Sequence, residues 1–141
     1  MSWLLDTCVI SELVRPEPAA QVVAWVDSCE EETLFLSAIT LGELEKGIAK
    51  LPASARRARL ESWIRRDLPE RFQGRILPVD ETVATRWGAV SGAAEIRGTP
   101  LPVIDALIAA TGMAHDLTVV TRNTADFARC GARCFDPWSE S

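Results

Sequence analysis

"PVIDALIAATGMAHDLTVVTRNTADF", residues 102–127, decides the fold. Val103, Ile104, Ala106, Leu107, Ile108, Ala109 and Ala110 crowd its first half, which reads as a helix buried nearly all round. "LTVVT" then reads as a short strand, so the helix delivers the chain straight into a sheet. Asp105 is the anomaly in this apolar setting. An ionised carboxylate taken out of water without a partner costs several kcal/mol, so Asp105 is expected to be protonated, paired with a cation, or holding a metal.

Working outward, the same alternation recurs. "SWLLD" is a strand candidate before the helix-like "CVISELV", and a helix over "AAQVVAWVDSCEEE" precedes the strand candidate "TLFLS". "AITLGELEKGIAKL" puts Leu41, Leu44, Ile48 and Leu51 on one stripe that Pro52 ends, and "ASARRARLESWIRRDL" repeats the pattern with Leu60, Trp63, Ile64 and Leu68. "RILPV" reads as a strand, "DETVATRWGAVSGAAEIRG" as a helix with Val83, Trp87, Val90 and Ala94 on one side, and "RCF" as a fifth strand. The expectation is a three-layer α/β/α sandwich around a mostly parallel sheet of about five strands, with residues 1–141 as one domain.

Composition narrows the class. No basic leader precedes an apolar run at the start, and no stretch approaches about 18 apolar residues, so the reading is a soluble cytoplasmic protein with no membrane partner. Cys8, Cys29, Cys130 and Cys134 lack metal-binding spacing and His115 is the only histidine, which leaves reduced thiols and no zinc site. The net charge of −5 speaks against a polyanion partner, but residues 46–75 carry nine basic side chains against three acidic ones. A basic arm on an acidic body can attract a polyanion locally; the alternative is a solvated helix face whose arginines pair with nearby acids.

Ligands of parallel sheets sit beyond the carboxyl ends of the strands, so acids just after strands matter most. Asp6 ends the first strand, Glu43 lies one turn into the helix after "TLFLS", and Asp126 follows "LTVVT" with Asn123 nearby. With Asp105 these acids map to one rim, although each alone suits a helix cap or turn. Four carboxylates gathered there would repel by roughly 4 kcal/mol per pair at 4 Å, which a divalent cation reverses. An all-oxygen donor set favours Mg²⁺ or Mn²⁺ over zinc. Glu45 competes with Glu43, but Glu43 shares its face with Thr40 and Gly47, whose small side chains would admit a metal or phosphate.

"WLLDTCVISEL", "LSAITLGELEKGI", residues 102–127 and the closing "FDPW" together resemble the successive motifs of PIN-domain ribonucleases, specifically the VapC and FitB-like toxins of bacterial toxin–antitoxin pairs. The resemblance spans Ser2 to Trp138. It implies a PIN fold and an Mg²⁺- or Mn²⁺-dependent endoribonuclease leaving 5′-phosphates. It also implies a homodimer, or a heterotetramer or octamer with a cognate antitoxin that silences it. Asp6 and Asp105 match the metal-binding acids and Glu43 the third; Thr121 to Phe127 match the segment that contributes the fourth. Two departures stand out: Cys8 occupies a position where many relatives carry Asn, and Asn123 one where some carry the fourth acid.

The expected roles are therefore Asp6 and Asp105 on the ion, with Glu43 and Asp126 binding through water or positioning the attacking water. Cys8 is a poor nucleophile beside carboxylates, which raise a thiol's pKa. Arginines of residues 56–75 are expected on RNA phosphates. The Leu60, Trp63, Ile64 and Leu68 stripe reads as helix packing, with an antitoxin-binding groove as the alternative; the Val83, Trp87 and Val90 stripe suits either core or dimer. A non-catalytic protein-binding module and an orphan RNA-processing nuclease are the competing functions.

Overall fold

The computed structural model describes residues 1–139. Five short strands form one all-parallel sheet: β1 (Trp3–Leu5), β2 (Leu34–Ser37), β3 (Ile76–Leu77), β4 (Thr118–Val120) and β5 (Cys134–Phe135), in the order β3-β2-β1-β4-β5. Every strand read from the sequence is present. β1 is central, with Leu4 opposite Phe35 on one side and Val119 on the other.

The two-residue period of a strand divides the core into two layers. Leu5 and Val120 point into one cluster with Val9, Val22, Leu36 and Ile48, whereas their neighbours Leu4 and Val119 point into another with Ala106, Ile108 and Phe127. Helices α1 (Thr7–Leu13), α2 (Ala20–Ser28), α3 (Ala38–Ala49), α4 (Ala55–Ser62) and α5 (Leu68–Arg71) contribute to the first. α6 (Glu81–Ile96), α7 (Val103–Ala114) and α8 (Thr124–Arg129) contribute to the second. Ser37, Ser54 and Asp80 cap α3, α4 and α6 by accepting from the N–H groups of Ile39, Arg57 and Val83. α6 ends in a Schellman turn: Gly98 has φ +75°, its N–H meets the Glu95 carbonyl, and Thr99 N–H reaches Ala94.

Two expectations need correction. The single helix expected over residues 53–68 is interrupted by a π turn at Trp63–Asp67, where the Leu68 N–H bonds the Trp63 carbonyl. Pro69 offers no N–H to the preceding turn, which loosens the α-helical ladder there. Ile64, Leu68 and Phe72 enter the core, while Leu60 and Trp63 are only partly covered. α7 is not buried all round either: Val103 is 59% exposed and Ile104 39%, because its first turn lies at the sheet's rim, and full burial begins at Ala106.

The stripe of α6 serves the core, with Val83 buried and Trp87 and Val90 packed on the second cluster. All four cysteines are free thiols, and no helix among the described residues is long and apolar enough to cross a membrane.

Candidate active site at the carboxyl edge of the sheet

The chain runs outward from β1 to β2 and β3, then returns to place β4 and β5 on the other side of β1. The crevice of such a sheet opens where the direction reverses, beyond the carboxyl ends of β1 and β4. Asp6 follows β1 and Thr121 follows β4. Above them lies a cleft of about 1070 Å³ whose walls include Asp6, Glu43, Asp105 and Asn123.

Asp6 is 4% exposed and held on both oxygens. Its Oδ1 accepts from the Thr7 N–H at 2.8 Å, and its Oδ2 from the Thr121 hydroxyl at 2.8 Å and the Cys8 thiol at 3.5 Å. Desolvation nevertheless raises its pKa above the usual aspartate value, and Glu43 adds to the rise. The Thr7 hydroxyl donates to Glu43 Oε1 at 2.5 Å and lies 3.2 Å from the Thr40 hydroxyl, so α1 fixes the acid supplied by α3. Glu45 points elsewhere and makes a two-pronged pair with Arg65 at 2.9 and 3.0 Å, which removes it from contention with Glu43.

Asp105 is half-buried and, among the described residues, accepts no hydrogen bond from a protein group. Burial raises its pKa, and the charges of Asp6, Asp126 and Glu43 push the same way. Asp126 is near enough to act electrostatically, but it stands outside the cleft lining and its Oδ1 accepts from Arg129 at 3.2 Å. Asn123, in contrast, lines the cleft. The structure therefore gathers Asp6, Glu43 and Asp105 and leaves Asp126 at the edge.

The Cys8 thiol donates to Asp6 Oδ2. Burial first, then Asp6, pushes its thiol up to about 11, so it is neutral and a poor nucleophile at ordinary pH.

The donor set fits a hard cation. Asp6 and Asp105 lack a cationic partner among the described residues, and their oxygens suit Mg²⁺ or Mn²⁺. No three His, Cys, Asp or Glu side chains among the described residues stand close enough to ligate one ion together. Two carboxylates with water completing the shell match the habit of Mg²⁺, which keeps several waters.

Four of the nine basic side chains of the arm are already engaged, contrary to the expectation that its arginines are free for phosphates. Arg57 pairs with Glu61, Arg65 with Glu45, and Arg71 with Glu31, while Arg75 donates to the carbonyls of Glu31, Leu34 and Arg71. Arg56 and Arg59 differ: they line the cleft without a carboxylate partner among the described residues.

Sequence reasoning passed over Thr7 and Thr121, which support the acids, and the set Glu12, Arg122 and Trp138, which also lines the cleft. A hydroxyl directly after Asp6 and another directly after the last apolar strand were the available clues.

A parallel sheet in this order, with acids from β1, α3 and α7 meeting at its switch point, defines the PIN class of fold, and the chain belongs to the PIN-domain family, whose model matches residues 3–132. It is 42% identical over 137 residues to "Toxin FitB" of Neisseria gonorrhoeae, covering 97% of this chain and 99% of the relative. The solved structure of "FitAcB from Neisseria gonorrhoeae" superposes with a TM-score of 0.91 at 41% identity, over 98% of this chain and 99% of that one. The chain is 38% identical to "VapC ribonuclease Y4jK" of Sinorhizobium fredii, covering 96% of each. A "Toxin-antitoxin complex from Klebsiella pneumoniae" matches with a TM-score of 0.71 at 25% identity, over 99% of this chain and 100% of that one.

Proposed function

We propose that this protein is a metal-dependent endoribonuclease, the toxin of a toxin–antitoxin pair, in which Asp6 and Asp105 hold Mg²⁺, or Mn²⁺ in its place. The observation carrying this reading is that two acids about a hundred residues apart face one cleft with Glu43, and neither forms a salt bridge among the described residues. The names of the relatives, toxin and ribonuclease, support the same reading.

A divalent ion held there supplies charge stabilisation for phosphodiester displacement and a more acidic bound water. The chain's own groups do the rest. Thr121, Thr7 and Cys8 fix Asp6, so one acid is aimed before substrate arrives. The Thr7 hydroxyl holds Glu43 Oε1, leaving Oε2 without a protein hydrogen bond among the described residues to orient the attacking water and accept its proton. Asp126, tied to Arg129, acts on Asp105 through its charge or through water. The product carries a 5′-phosphate.

The cognate antitoxin is the second partner. The same cleft, with Leu60 and Trp63 beside Arg56 and Arg59, offers apolar and cationic walls to an amphipathic segment. Assembly as a homodimer, or as a heterotetramer or octamer with antitoxin, and action in the cytoplasm belong to this proposal.

The test is cleavage of single-stranded RNA by purified protein in Mg²⁺ or Mn²⁺. Wild type is expected to cut and Asp6→Asn to lose at least about a hundredfold in rate while staying folded. Cutting that survives Asp6→Asn refutes the site. A wild-type protein that never cuts RNA points to a protein-binding module instead.

A further inference from the structure

We propose that Arg122 grips a phosphate of the RNA beside the acids, and that Glu12 and Trp138 are positioning residues that hold its guanidinium at the cleft. This rests on the nuclease reading above. Arg122 follows Thr121 directly, so the end of β4 delivers a hydroxyl to Asp6 and a cation to the same cleft. Its guanidinium carbon sits 4.2 Å from the centre of the Trp138 ring, a stacking distance. Its Nη2 is 3.9 Å from Glu12 Oε1, too long for a hydrogen bond, and its side chain remains 55% exposed. The arginine is thus oriented without its donors being consumed. A stacked guanidinium with open edges is suited to two-pronged recognition of a phosphate.

The supports are built in. Glu12 is 5% exposed; its Oε2 accepts from the Ala19 N–H at 3.0 Å, and its Oε1 from Trp138 Nε1 at 3.3 Å and Arg15 Nη1 at 3.4 Å. Trp138 is fixed in turn by its own N–H, which donates to Asp136 Oδ1 at 2.8 Å. These contacts tie the residues after β5 to α1. An RNA strand entering a cleft lined by Asp6, Glu43 and Asp105 meets like charge, and Arg122, with Arg56 and Arg59 on the same cleft, offsets it.

Steady-state cleavage of a single-stranded RNA oligonucleotide across a salt series tests the grip. Arg122→Ala is expected to raise KM by about tenfold or more with kcat within about threefold. It should also make the fall of log(kcat/KM) with log salt shallower by about 0.7, the increment for one phosphate contact on a single strand. Arg122→Lys should restore the salt slope but not the full KM. Glu12→Gln and Trp138→Leu should raise KM less, by about threefold, and add nothing further in the Arg122→Ala background. Trp138→Phe, which keeps the ring face, covers the case in which the leucine variant does not fold, and should stay closer to wild type. Wild-type cleavage with an Arg122→Ala variant unchanged in KM and salt slope overturns the grip and spares the nuclease reading. So does a loss confined to kcat. A wild-type protein without RNA cleavage overturns both.

Discussion

Asp6 and Glu12 lie six positions apart, at the two ends of α1, and are almost equally buried, at 4% and 5% exposed. Their surroundings push them in opposite directions. Glu12 has Arg15 and Arg122 nearby and accepts the Ala19 N–H and the Trp138 indole, so its pKa falls, led by the Ala19 bond. Asp6 is surrounded by hydroxyl, thiol and amide donors and by other acids, and its pKa rises through burial. A buried carboxylate supplied with cations ties structure together. One supplied only with neutral donors is held in place with its charge unbalanced, the surroundings that the proposed role in holding a cation calls for.

Variants that break this contrast separate the two roles. Thr121→Val keeps the shape of the side chain but removes the 2.8 Å hydrogen bond to Asp6. It should lower Mn²⁺ affinity and RNA cleavage by about 10- to 100-fold, as loss of a group orienting a metal ligand does, with titration calorimetry and cleavage rates as the checks. Glu12→Gln should act on stability, lowering Tm by about 3–8 °C at neutral pH in a thermal scan. Its acid dependence has a definite sign. Because Glu12 is lowered from 4.5 in the folded protein, its contribution is present above that value and is lost as pH falls through the folded pKa. Wild type should therefore lose more Tm than Glu12→Gln between about pH 5.5 and about pH 3.5. Equal losses in the two proteins would remove Glu12 from the account.

The strand and helix alternation was legible because apolar spacing is local and each strand is short and buried. That the acids after β1 and β2 and the one opening α7 share a cleft was legible for a related reason, since parallel sheets bring such positions to one rim; Asp126 after β4 stays outside the lining, paired with Arg129. What escaped was made by partners far apart in the chain. Arg65 and Arg71 look free along residues 46–75, but Glu45 and Glu31 reach them from 20 and 40 positions away. Trp138 meets Glu12 across 126 positions, and Thr121 meets Asp6 across 115, so neither contact leaves a local pattern. The π turn at Trp63–Asp67 comes just before Pro69, and the unbroken apolar stripe from Leu60 to Leu68 masked that local signal. The exposed first turn of α7 depends on where the sheet ends, which an apolar sequence at Val103 and Ile104 does not state.

The central claim is that Asp6 and Asp105 form one seat for a hard divalent ion. Thermal unfolding of wild type and Asp6→Asn, each with a chelator and then with a saturating excess of Mn²⁺, addresses it most directly. The account predicts that Mn²⁺ raises the wild-type Tm, by roughly 2.7 kcal/mol of added stability at a hundredfold excess over Kd. It predicts that Asp6→Asn melts above wild type in chelator, having lost an unneutralised buried charge, and does not respond to Mn²⁺. An Asp6→Asn protein that keeps the full Mn²⁺ increment would contradict it.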